Sequence, residues 1–138
     1  MQTQVSSGEK PPITLIDSEA DSLADLAHAS LAKSSLAASL LLEEIDRANT
    51  TSPDEVPDDV VTMHSHVEFV DEASGETHSV QLVYPHEANM EQHRLSVLTP
   101  VGAGLIGMRC GDSIDWPNRA GTYRRLRIVR VAQPEREA

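Results

Sequence analysis

The ten residues TTSPDEVPDD (Thr50 to Asp59) separate two stretches of different hydrophobic period. Their two prolines stop any helix that reaches them, because proline lacks an N–H donor and drives the preceding residue out of the helical region. Before this run, apolar residues recur every three or four positions; after it they alternate. Side chains repeat their direction every 3.6 residues in a helix and every two in a strand, so helices are predicted first and a sheet second. A chain of 138 residues allows one compact domain and an appendage.

Residues 1–12 are polar and include a Pro-Pro pair, which predicts a tail without fixed structure. A helical hairpin is expected over 13–50. Asp17 or Ser18 caps its first helix, with Glu19 and Asp21 near the positive end and Leu23, Leu26 and Ala27 as the apolar stripe. Ala38, Leu41, Ile45 and Ala48 mark a second helix from about Ser34 to Asn49, and HASLAKSS is the turn between the two. Residues 51–59 read as a linker crossed by few contacts, so a fragment from about Pro53 is expected to fold alone.

From 60 to 132 the pattern predicts about five strands and one short helix, an α+β architecture. Val61, Met63, Val67 and Phe69 alternate with polar residues from Val60 onward, interrupted by Ser65; DEASGE is a hairpin turn and THSVQLVYP the returning strand. An acidic loop, a strand near Arg94 to Leu98, a strand near Asp112 to Trp116, the turn PNRAG and the strand TYRRLRIVRV follow. Residues 133–138 form a tail.

Gly102-x-Gly104-x-x-Gly107 reads literally as a dinucleotide-binding fingerprint, which needs a long following helix and an acid about 20 residues on. Instead a Gly111-Asp112 turn follows closely and the acid's place falls in RRLRIV. A short helix fits the same letters: Thr99 caps it, Pro100 takes its first position, and Gly107 is the left-handed residue past its end. No cofactor is expected.

The net charge of −11 opposes direct binding to duplex nucleic acid. Residues 1–60 carry 12 acids and 3 bases, whereas residues 61–138 carry 10 and 8, so an acidic arm joins a near-neutral body and can steer encounter with a basic protein surface. One cysteine, Cys110, rules out an internal disulfide and fits a reducing cytoplasm. There is no apolar run of membrane-spanning length, and the polar start is unlike a signal peptide. A cytoplasmic protein is expected.

Single residues carry few chemical signals. His64-x-His66 places two imidazoles on one face of a strand, with His78 on the next, but no further ligand is evident and solvated histidines are expected. Cys110 lies in a turn without a neighbouring histidine. The pairs Glu43/Glu44, Asp58/Asp59 and Asp71/Glu72 point apart and are expected in water. Arg125 and Arg127 share a face opposite Leu126 and Ile128, which predicts a solvent-facing stripe paired with nearby acids; Trp116 beside Pro117 predicts edge packing.

The segment RLSVLTPVGAGLIGMRCGDSIDW resembles the part of the Gre transcription elongation factors in which a strand, a Ser-Pro-like dipeptide, a short Gly-containing helix and a Gly-Asp turn follow one another. EEIDRANTTSPDEVPDDVVTMHSHVEF and LVYP are closer still to one branch, the regulators of nucleoside diphosphate kinase. The resemblance covers roughly Glu43 to Val131. It implies a short coiled-coil-like antiparallel helical hairpin joined to an FKBP-like domain, bacterial RNA polymerase as partner near its secondary channel, and Thr99, Pro100, Gly102 and Asp112 as partner-binding positions. A monomer without catalytic residues, metal or cofactor is expected. Gre factors use an acidic coiled-coil tip to help hold a catalytic magnesium ion, whereas HASLAKSS contains no Asp or Glu, so cleavage stimulation is not implied. Two rival readings are an FKBP-like peptidyl-prolyl isomerase, against which the scarcity of aromatics stands, and a metal-responsive module using His64 and His66.

Overall fold

The computed structural model describes residues 11–31, 36–117 and 122–134. Most of the predicted tails, the last four residues of HASLAKSS and most of PNRAG lie outside these.

Asp17 opens the first helix, α1 (Asp17–Leu31), its carboxylate accepting the Ser18 N–H at 2.7 Å, and Asp17 and Glu19 sit in the first turn where the helix dipole favours negative charge. Ala20, Leu23 and Ala27 are buried against α2 (Leu36–Arg47), which buries Ala37, Ala38, Leu41 and Glu44. Glu44, expected in water, is fully buried. It takes Arg47 Nη2 at 2.7 Å, and the same guanidinium reaches the Pro11 carbonyl at 2.5 Å.

The alternating pattern did not reveal that both ends of the helical pair are strands. β1 (Thr14–Ile16) runs parallel to β2 (Asn49–Thr51), and Thr14 N–H donates to Gly107 O at 3.1 Å. Glu19 Oε1 accepts the Met63 N–H at 3.1 Å. Ile13, Leu15, Leu23 and Leu41 belong to the same buried cluster as Leu105, Ile106 and Met108. The helical pair and β1 are therefore packed against the short helix Pro100–Leu105 and the segments around Met63 and Gly107, where few contacts were expected across 51–59.

The main sheet has the order β5-β4-β3-β7-β6: β3 (His66–Asp71), β4 (Glu76–Val83), β5 (Arg94–Ser96), β6 (Ser113–Pro117) and β7 (Tyr123–Ala132). Its pairs are antiparallel except β4 with β5. Gly75, at φ 78°, turns the chain between β3 and β4, and the acidic loop after β4 holds two 3-10 turns, Pro85–Glu87 and Met90–Gln92. The short helix α3 (Pro100–Leu105) lies between α2 and β6. The expected α+β architecture, two helices and then a mostly antiparallel sheet with one short helix, is present.

One strand begins later than its pattern suggests. From Val60 to Ser65 the chain turns: Ser65 N–H donates to Thr62 O at 3.1 Å, and His64 is left-handed at φ 71°. Val61 and Met63 are still buried, and Thr62 and Ser65 bury beside them because the Ser65 hydroxyl accepts the Thr62 N–H at 2.9 Å. A hydroxyl satisfied locally lets an irregular segment mimic a strand's alternation.

Candidate functional site

Thr99 ends its extended approach at φ −114°, ψ 159°; its Oγ1 accepts the Gly102 N–H at 3.0 Å and donates to Ser96 O at 2.8 Å. One hydroxyl thus caps α3 and ties it to β5. Pro100 occupies the first helical position, where no N–H is required.

The three glycines of the apparent fingerprint are each explained by packing. A Cβ on Gly102 would lie 2.2 Å from Ser96 O, and one on Gly104 would lie 2.7 Å from Trp116 Cε2. Gly107 has φ 83° and its missing Cβ faces Ile13, so it ends α3 and lets β1 approach. Trp116, expected at an edge, is 1% exposed and donates its indole N–H to the Pro100 carbonyl. It is the seat of α3. Nothing in the spacing reveals this, although Gly104 is the signal that something large lies close.

The four positions taken as partner-binding play distinct parts here. Pro100 and Gly102 are buried, while Thr99 and Asp112 are half-buried. Asp112 Oδ2 accepts the Arg109 N–H at 3.0 Å, and its carbonyl accepts the Ile128 N–H at 2.9 Å, so it holds its own turn and fastens it to β7. Val101, in the first turn of α3, borders a groove of about 380 Å³ over the sheet, with Phe69, Leu95, Trp116 and Leu126. Met90 stands at its lip, 62% exposed.

At one end of this groove Arg124 Nη2 lies 2.9 Å from Asp71 Oδ2. Burial alone raises the Asp71 carboxyl, but the Arg124 hydrogen bond, N–H groups of the Ala73 and Ser74 backbone and the Arg124 charge outweigh it and hold it below its ordinary value. His78 stacks on Phe69 with ring centroids 5.3 Å apart. On the opposite face Arg125 and Arg127 pair with Asp115 and Glu72 at 2.9 Å each, the ion-paired stripe their spacing predicts.

The two histidines of His64-x-His66 do not share a strand face, since His64 lies before β3 in left-handed geometry. Its Nε2 is 2.8 Å from Glu87 Oε1, and that hydrogen bond, opposed by burial and aided by the Tyr84 N–H, holds the Glu87 carboxyl below its usual range. The pair pins the first 3-10 turn to the segment just before β3. Among the described residues no group of three or more His, Cys, Asp or Glu is placed to hold a metal ion. Cys110 is exposed, its thiol 3.4 Å from Val129 O. No helix of the described residues is long and apolar enough to cross a membrane.

Residues 56–133 match the family described as transcription elongation factor, GreA/GreB, C-term. The chain is 44% identical over 99 residues to the regulator of nucleoside diphosphate kinase of Escherichia coli (strain K12), covering 71% of this chain and 73% of that one. It is 33% identical over 125 residues to the transcription elongation factor GreA of Acidiphilium cryptum (strain JF-5), covering 85% and 80%. The solved prokaryotic transcription elongation factor GreA/GreB from Nitrosomonas europaea superposes with a TM-score of 0.70 at 37% identity, over 90% of this chain and all of that one. Capped helix, indole seat and Gly-Asp turn thus lie inside a matched region that spans the whole sheet, and the chain belongs to the GreA/GreB transcription elongation factor family, in its branch with the regulators of nucleoside diphosphate kinase.

Proposed function

We propose that this chain is a non-enzymatic transcription regulator that docks on bacterial RNA polymerase near the secondary channel and competes with Gre factors without stimulating transcript cleavage. The observation that carries the reading is the length and chemistry of the helical pair. α1 has 15 residues and α2 has 12, which at 1.5 Å per residue gives a reach of about 20 Å. The run HASLAKSS, from the end of α1 toward α2, contains no Asp or Glu, and a magnesium ion needs hard oxygen ligands. Such a hairpin occupies a channel mouth without furnishing metal ligands.

Docking through the sheet-bearing part uses the surface shaped by Thr99, Pro100, Gly102 and Asp112. Since Pro100 and Gly102 are buried, they act by positioning α3, and Thr99, Val101 and the adjoining groove offer the contact. The chain's charge of −11 speeds encounter with a basic surface, so competition weakens with salt. A stalled elongation complex tests this. Adding the protein with a Gre factor should inhibit cleavage at low salt, and adding it alone should give none. Cleavage by this protein alone refutes the ligand argument; undiminished Gre-dependent cleavage at low salt refutes the shared site.

A second reading rests on the 380 Å³ groove, whose apolar floor could receive a proline side chain in an FKBP-like isomerase. Turnover above background in a protease-coupled proline-peptide assay, at substoichiometric protein, favours it over the non-enzymatic reading.

A further inference from the structure

Among the described residues, Arg47, Arg109, Arg124, Arg125 and Arg127 each sit within ion-pair distance of a carboxylate, while Arg94 and Arg130 do not. In a chain with 22 acids and 11 bases, these two are the exceptions among the described arginines. These two exceptions lie on the same face of the same sheet.

Arg130 reaches that face through a break in the strand. Leu126 and Ile128 point inward from β7, and strict alternation would send Arg130 inward as well. The register passes from Phe69 opposite Ile128 to Glu68 opposite Arg130, leaving Val129 as an extra residue. That bulge turns Arg130 outward, beside Glu68. On the same face Arg94, Gln81 and His66 form one row across β5, β4 and β3. Neighbouring strands are about 4.8 Å apart, so the backbones of Arg94 and His66 are about 10 Å apart, with Arg130 one strand further on.

A groove of about 490 Å³ lies here, lined in part by His66, Ser79, Gln81, His93 and Arg130. Arg94 follows His93 in the chain and stands in register with Gln81. Glu68 is the one carboxylate lining it. We infer that this groove is an anion site that takes a compact phosphate chain, either free or carried by a nucleotide. Guanidinium forks bind phosphate oxygens bidentately. Gln81 donates one amide hydrogen to His64 O at 3.1 Å and keeps another, and the Ser79 hydroxyl adds a further donor. The volume falls within the range of small-ligand sites, roughly 300–1,000 Å³, and the net charge of −11 opposes a polyanion such as nucleic acid. Glu68 opposes the ligand as well, which limits affinity and supplies a control. This site is on the opposite face of the sheet from the polymerase-docking surface proposed above and does not depend on it.

Calorimetry on the full chain at low ionic strength tests the inference with four probes: inorganic pyrophosphate, adenosine triphosphate, adenosine, and a short single-stranded DNA. Pyrophosphate and adenosine triphosphate should bind saturably, and Arg130→Gln and Arg94→Gln should each weaken them about tenfold, as expected for a lost charge-assisted bond. Glu68→Gln should tighten both several-fold, a gain that misfolding cannot produce. Equal affinity for the two phosphates supports a free phosphate chain as ligand, and tighter adenosine triphosphate supports a nucleotide. The inference is overturned if neither phosphate saturates at millimolar concentration, if the arginine variants bind as the parent does, if adenosine alone matches adenosine triphosphate, or if the DNA binds more tightly than either phosphate.

Discussion

Replacing Gly104 by alanine sets two effects of opposite sign against each other. In a helix alanine is favoured over glycine by about 0.5–1 kcal/mol, since glycine loses more backbone freedom on folding. The added Cβ would lie 2.7 Å from Trp116 Cε2 and 2.9 Å from two more indole atoms. The indole has little room to retreat, being 1% exposed and bonded through its N–H to the Pro100 carbonyl of the same helix. Forcing extra volume into a packed site costs about 1–3 kcal/mol, so the clash wins and the net loss is about 1–2 kcal/mol. For a chain of this length that lowers the thermal midpoint by roughly 4–8 °C.

Trp116 is the chain's only tryptophan, so its fluorescence in a urea titration reports unfolding from the site itself. Gly102→Ala should lose more than Gly104→Ala, because its Cβ meets a backbone oxygen at 2.2 Å that cannot rotate away. Gly75→Ala, with φ 78° and open space, should lose only the left-handed strain of about 1–2 kcal/mol. Pairing Gly104→Ala with Trp116→Leu, followed by far-ultraviolet circular dichroism because the fluorophore is then gone, should cost less than the sum of the single changes, since the smaller side chain makes room. If Gly104→Ala is as stable as the parent at an unchanged denaturant slope, α3 is not seated on the indole and the packing account of these glycines fails.

A fragment beginning at Pro53 should melt far below the full chain or without cooperativity, because it lacks Ile13, Leu15, Leu23 and Leu41, each worth about 1.5–3 kcal/mol when buried; a midpoint within a few degrees of the full chain refutes this. Asp71, whose folded carboxyl is held low, contributes stability that is present above the unfolded value near 3.9 and lost as pH falls through the folded one. Between pH 5 and 3, urea midpoints of Asp71→Asn should therefore fall less steeply than those of the parent, and parallel slopes would refute the Arg124 pairing. Thr99→Ala should cost about 1 kcal/mol through the lost cap and weaken competition with a Gre factor, and unchanged competition would remove the α3 start from the contact surface.

Elements that carry their own repeat were legible without coordinates. α1 and α2 advertise an apolar face over several turns, and β4 and β7 are long enough for alternation to show. β1 has only three residues and gains its identity from β2, 35 positions away in register, so no local pattern could announce it. Glu44 was misplaced in water because its burial depends on an arginine three residues on and on the Pro11 carbonyl. His64 and His66 looked like face-mates because spacing assumes an extended chain, and a left-handed residue breaks that assumption. The bulge at Val129 does the same to Arg130.

The glycines in and just after α3 show most clearly where letters stop and space begins. In a dinucleotide-binding turn, glycine keeps the backbone bare so that a pyrophosphate can come close to it. Around α3 the backbone is equally bare, yet the vacant positions are already filled from within: Ser96 O stands against Gly102, the Trp116 indole against Gly104, and Ile13 against Gly107. A residue chosen for what it lacks carries no record of which neighbour uses the room. Only the partners decide, and they come from β5, β6 and the segment before β1, up to 94 positions away. What the sequence did hold was the helix's punctuation, Thr99-Pro100 before it and a positive-φ glycine after it, because those requirements are met within a single turn of chain.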